Sequence, residues 1–164
     1  MSTRRNATAA LLSLPIISAA IEKKDKKPIP GPLSEEAARI ISYTIYAEAR
    51  GEPSKGKKAV AAVIHTRSKQ LNLSLAAVCL QDQQFSCWNE ISEVPENYHL
   101  GIGLQPADIK ARNYCYGLAW LLISGHIKWD FLTHFYNPSK ASPEWRHEMR
   151  GTRMIGRHVF GYIN

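Results

Sequence analysis

From residue 34 to residue 69 apolar positions recur every three or four residues, a spacing that predicts two amphipathic helices packed against each other. The first spans 34–50, with Ser34 placed to cap it and Ala37, Ile40, Ile41, Thr44 and Ile45 as its inner stripe. The second spans 55–69 on Ala59, Val60, Val63, Ile64 and Arg67. Leu75 to Leu80 reads as a short helix, and Asn89 to Gln105, with Pro95, Gly101 and Gly103, as a long irregular loop. Pro106 opens a last long helix, whose buried face is Ala111, Tyr114, Cys115, Leu118, Leu121 and Leu122 and whose stop is Gly125. Beyond it the period shortens: Phe131 to Tyr136 and His158 to Ile163 have strand-like density of aromatic and β-branched residues, separated by a polar stretch holding Pro143 and Trp145. The expectation is a mainly α, α+β fold with a small sheet.

One residue breaks the apolar pattern. Glu48 closes the stripe of the first helix, on the face of Ile41 and Ile45, just before Gly51. A carboxyl group taken out of water holds its proton more tightly, as a general acid must near neutral pH. A structural carboxylate paired with Arg50 or Arg67 would account for the same position. Glu52, between Gly51 and Pro53, is the rival acid, expected to have left the helical face.

Composition bounds these readings. With 45% hydrophobic and 21% charged residues over 164 positions, the chain suits one globular domain. Residues 1–33 hold six Lys or Arg against two acids, so most of the formal charge of +7 sits there and only +3 remains for 34–164. No basic helix or aromatic-and-arginine strand accompanies the charge, so nucleic acid is not an expected partner. Arg4 and Arg5, an apolar stretch from Ala7 to Ala20, a charged run from Glu22 and the prolines from Pro28 to Pro32 have the parts of an export signal and linker. The other reading of 1–33 is a flexible basic arm that touches a membrane transiently. Pro15 and the short apolar length argue against a stable span. Cys79, Cys87 and Cys115 form no C-x-x-C pair; Cys79 and Cys87 would pair in an oxidising compartment, and three buried thiols are the alternative. His134, His147 and His158 lack the local spacing of zinc ligands, so neither metal nor cofactor is expected.

Two runs suit a cleft for sugars, which bind through aromatic faces against their C–H surfaces and amides or hydroxyls against their hydroxyls. They supply Gln84, Ser86 and Trp88, then His134, Tyr136 and Asn137, with Trp145 nearby. Singly, Phe85 and Trp88 read equally well as core. Taken in order, AEARGEP at 47–53, G-x-x-AVAAVI-x-x-R at 56–67, QFSCW at 84–88, THFYNP-x-x-ASPEW at 133–145 and IG-x-HVF at 155–160 resemble the SleB-type cell-wall hydrolases. That family includes the spore-cortex-lytic enzymes, and similar domains occur in proteobacterial and bacteriophage proteins. The resemblance covers about 34–160 and implies a lysozyme-like, lytic-transglycosylase-like domain with a small antiparallel sheet. It implies cleavage of peptidoglycan between N-acetylmuramic acid and N-acetylglucosamine by one catalytic glutamate, which falls on Glu48. His65 and Thr66 stand where relatives often carry leucine and asparagine, so a contact made by that asparagine does not carry over.

With no separate wall-binding domain evident, targeting is expected from the cleft, the basic arm or a larger assembly such as a virion. The setting implied is export to the periplasm or wall, or a phage-encoded protein acting at lysis or within the virion beside other virion proteins. A hydrolytic route needs a second carboxylate, for which Asp82, Glu90 and Asp130 stand undistinguished. Two other functions fit the residues: an amidase or peptidase with Cys87 as nucleophile and His134 as base, and a non-catalytic wall-binding phage component.

Overall fold

A computed structural model describes residues 31–125 and 128–163; the export-signal or arm reading of the first thirty residues lies outside them. Helix α1 (Glu35–Ala49) is central, packing against α2 (Ser54–Leu71), α3 (Leu75–Cys79) and, most extensively, α5 (Pro106–Ser124). Ser34 caps α1 as expected, its hydroxyl accepting from the Ala37 N–H at 3.1 Å, while Glu35 and Glu36 complement the positive end of the helix. Ser74 caps α3 in the same way. Pro106 opens α5, and Gly125, at φ 67°, closes it in the left-handed conformation.

Ile41 and Ile45 of α1 and Val60, Val63 and Ile64 of α2 are shut away from water with Val78 and Phe85, each such side chain stabilising the fold by roughly 1.5–3 kcal/mol. Leu121 is not on the buried face of α5. It is 40% exposed, because Leu118, Ala119 and Leu122 meet α1 and turn their neighbour outward. Among the described residues no helix is long and apolar enough to cross a membrane.

The expected loop at 89–105 contains a further single-turn helix, α4 (Glu96–Leu100). It is too short to show a period, and it is held from outside: Tyr98 is buried with its hydroxyl 2.5 Å from Ser42, and Arg112 of α5 donates to the carbonyls of Tyr98 and His99.

The sheet is antiparallel with three strands in the order β1-β3-β2: β1 (His134–Tyr136), β2 (Arg150–Ile155) and β3 (His158–Tyr162). Its first strand is shorter than the pattern suggested, and β2 was not foreseen. Phe135 pairs with Phe160 and stacks on it at 5.4 Å; Phe85 lies 6.4 Å from Phe135, joining this face to the helical core.

Candidate active site around Glu48

The last turn of α1 carries Glu48 to the rim of the core and no further. It is half-buried, because the apolar stripe continues from Ile45 to Ala49, four residues on, and Ala49 takes the interior position. Its carboxylate meets the 3₁₀ turn Ser86–Trp88: Oε1 accepts from the Ser86 hydroxyl at 3.1 Å and from the Cys87 N–H at 3.4 Å. Both bonds fall on Oε1, and neither engages Oε2. One turn back on the same face, Thr44 accepts from the Trp88 indole N–H at 2.9 Å, and Tyr43 packs edge-on to that ring at 5.3 Å. Thr44, expected only as part of the inner stripe, and Tyr43 were not anticipated as site residues; Thr44 lies four residues from Glu48 on the same face, and Tyr43 reaches the site through the Trp88 ring.

The turn is fixed from behind by Arg67. Its Nη1 donates to Gln84 Oε1 at 2.9 Å and its Nε to the Thr133 carbonyl at 2.8 Å, with the guanidinium over the Phe85 ring. Arg67 therefore clamps the segment entering the Ser86–Trp88 turn to the strand entering the sheet, and does not pair with Glu48. Replacing it by methionine is expected to lower stability by roughly 2–4 kcal/mol, since a buried carbonyl and an amide lose a charged donor. Thermal denaturation reads this, and an unchanged midpoint would show that the clamp holds nothing.

Glu52 is the carboxylate that is fully enclosed. Its side chain is 3% exposed, its Oε2 accepts from the Arg157 N–H at 2.8 Å, and its Oε1 pairs with Arg157 Nε at 2.8 Å. The Lys57 ammonium donates to the Glu52 carbonyl. Gly156, at φ 60°, leaves the room: a Cβ there would land on Oε2. Burial pushes the Glu52 carboxyl up, but the backbone and side-chain hydrogen bonds from Arg157 outweigh it, and the group is held below its ordinary range. Glu52 ties the α1–α2 corner to the β2–β3 turn.

The sheet separates residues that the sequence grouped. Side chains alternate along a strand, so Phe135 shares the core face with Phe160 and His158, whereas His134 and Tyr136 turn to the opposite face. There Trp145 packs on both, at 5.0 Å from His134 and 5.9 Å from Tyr136. Asn137 spends its side-chain oxygen on the Ser139 N–H. Glu48, Ser86 and Trp88 thus come together, Gln84 supports them through Arg67, and His134, Tyr136, Asn137 and Trp145 form a separate outer cluster. His158 was missed as a site residue. Half-buried on the core face with Nδ1 3.6 Å from Glu52, it is pushed toward the neutral form by burial, against the pull of Glu52 and Glu48.

The cysteines are all free; Cys79 and Cys87 are not joined. Burial pushes the Cys79 and Cys115 thiols up to about 12, and burial followed by the Glu48 charge pushes Cys87 up as well. A thiol held protonated in this way, with His134 on the outer face of the sheet, is a poor nucleophile. Asp130 is engaged by Arg153 at 2.5 Å. Among the described residues no three His, Cys, Asp or Glu side chains are grouped as a metal site requires.

A family model described as Cell Wall Hydrolase matches residues 51–161. The chain belongs to the cell wall hydrolase family. The matched span takes in Glu52, Arg67, the Ser86–Trp88 turn and the sheet as far as Gly161, and begins just past Glu48. Among curated relatives of this chain, the spore cortex-lytic enzyme of Bacillus subtilis (strain 168) is 29% identical over 134 residues, covering 80% of this chain and 39% of that protein. The enzyme of the same name from Oceanobacillus iheyensis is 28% identical over 137 residues, covering 80% and 44%. The chain thus spans about two fifths of the length of these relatives.

Among solved structures, the catalytic domain of the germination-specific lytic transglycosylase SleB from Bacillus anthracis aligns with a TM-score of 0.57 at 21% identity, over 82% of this chain and 100% of that one. The catalytic domain of Bacillus cereus SleB aligns at 0.56 and 24%, over 82% and 95%. These likenesses establish the fold: the lysozyme-like, mainly helical domain with its small antiparallel sheet.

Proposed function

We propose that this cell wall hydrolase cleaves peptidoglycan glycan strands between N-acetylmuramic acid and N-acetylglucosamine, with Glu48 as the single acid and base. The observation that carries the reading is the contrast between the two glutamates of AEARGE. Glu52 is sealed and charge-paired, while Glu48, with Oε2 outside both of its bonds, sits at a rim furnished with hydroxyl, backbone N–H and indole groups. The names of the relatives, lytic enzymes of spore cortex and a lytic transglycosylase, support the same substrate class.

In this reaction protonated Glu48 gives its proton to the glycosidic oxygen as the bond from that oxygen to the muramic acid anomeric carbon breaks. The resulting carboxylate then takes the proton of the muramic acid 6-hydroxyl, whose oxygen bonds to the anomeric carbon and closes a 1,6-anhydro ring. Ser86 and the Cys87 N–H hold Oε1, which keeps the carboxylate in one orientation through both steps.

Mass spectrometry of digested muropeptides tests the route. The expected product is lighter than the hydrolysed one by one water, whereas hydrolysed ends would require a second carboxylate. A digest without any product would favour a wall-binding component instead. Delivery to the wall falls to export to the periplasm, with the first 33 residues as leader or membrane-touching arm, or to phage-encoded release or packaging.

A further inference from the structure

His158 is a titratable group beside the site that the single-glutamate route leaves without a task. It stands on the core face of β3, its ring edge-on to Phe135 at 5.7 Å and tilted against Phe160 at 6.1 Å, with 13% of the side chain open to water. Nδ1 is closed off and has no hydrogen-bond partner; Glu52 Oε1 lies 3.6 Å away, near enough to orient the ring and too far for a bond. Facing an anion, the neutral imidazole keeps its N–H on Nδ1 and leaves Nε2 as an acceptor.

The charged groups that act on the ring come from the helical layer and from the sheet. Glu48 lies in the last turn of α1 and Glu52 in the corner after it, Arg157 in the β2–β3 turn, and Lys140, exposed, in the turn that follows β1. Burial dominates and holds the ring toward neutral; Glu52 and Glu48 pull the other way, and Arg157 and Lys140 add to the burial. Glu52 pulls less than a free carboxylate would, because Arg157 already engages both of its oxygens.

Charge at this place bears on the reaction. A glycosidic bond breaks through a transition state that resembles an oxocarbenium ion, with positive charge on the sugar. A second positive charge near Glu48 raises that barrier, and it also favours the Glu48 carboxylate, the form with no proton to give. We propose that His158 sets the acid limit of strand cleavage: neutral, it leaves Glu48 its proton and tolerates the cationic sugar, and protonated, it opposes both. This rests on the reading of Glu48 as acid and base. A lone carboxyl group that must start protonated accounts for loss of activity toward alkali only, and His158 supplies the loss toward acid.

The test follows the His158 ring signals of the full chain by NMR as pH is lowered, in the natural protein, in Glu48→Gln and in Lys140→Gln. The midpoint is expected below the ordinary 6.5. It should fall by about half a unit more in Glu48→Gln, where a neighbouring anion is gone, and rise by less than that in Lys140→Gln, whose side chain is exposed. Below the midpoint kcat/KM for muropeptide release should drop about tenfold per pH unit in the natural protein, follow the shifted midpoint in Lys140→Gln, and stay level in His158→Gln, with circular dichroism showing each protein folded. An acid limb that persists in folded His158→Gln, or a midpoint indifferent to Glu48→Gln, would overturn the proposal. If His158→Gln does not fold in acid, Lys140→Gln decides: a midpoint that moves without the limb overturns it, and the two moving together support it. Absence of Glu48-dependent cleavage at every pH, with the midpoint still moved by Glu48→Gln, would sink the cleavage reading and the acid limit with it, the coupling of the two side chains alone surviving.

Discussion

Glu48→Gln is expected to lower strand cleavage by about 10²–10⁴-fold while leaving the fold and its melting temperature nearly unchanged. Glutamine keeps the shape of the side chain, and its amide oxygen still accepts from Ser86 and from the Cys87 N–H, so the turn stays seated. What it lacks is a proton to give to the glycosidic oxygen and a carboxylate to take one back. The loss should therefore fall on kcat, with substrate binding retained. Muropeptide release from purified walls measures it, alongside thermal denaturation. Activity within a few-fold of the natural protein would remove Glu48 from the chemistry, and a loss matched by unfolding would make it structural.

The long helices were legible because their buried residues follow a sustained period, and the caps at Ser34, Pro106 and Gly125 lie where backbone groups need them. Strand β2 was not, because every residue from Arg150 to Met154 is exposed: an edge strand with no core face has no alternation to read. Glu48 was located correctly on the helix but assigned too much burial, since small Ala49 hides the true continuation of the stripe. The run from Thr133 to Asn137 looked like one lining surface, yet the two-residue period of a strand sends Phe135 inward and His134 and Tyr136 outward. His158 and the Arg157–Glu52 pair join residues about a hundred positions apart, which no local pattern reveals.

Glu52→Gln is expected to destabilise the protein by roughly 2–3 kcal/mol, because one amide oxygen cannot serve both the Arg157 N–H and its guanidinium. Most of this should come from the enclosed backbone bond. The Arg157 side chain is 65% exposed, and a pair so open to water adds little, so Arg157→Ala should cost about 1 kcal/mol or less. The pH dependence carries the same signature. The folded-state pKa of Glu52 is depressed below its ordinary 4.5, so its stabilisation is fully present above that value and is lost as pH falls through the folded value. His158 is depressed from 6.5, so acid weakens the fold there earlier, when the unfolded chain binds the proton first. Melting temperatures followed from pH 8 to about pH 3 should thus decline in two stages in the natural protein, and Glu52→Gln should start lower and lack the second. Since Glu52 is sealed from solvent and held as the charged base, the variant should still cleave strands at temperatures where it remains folded. Loss of cleavage in folded Glu52→Gln, with Glu48→Gln active, would transfer the acid role to Glu52.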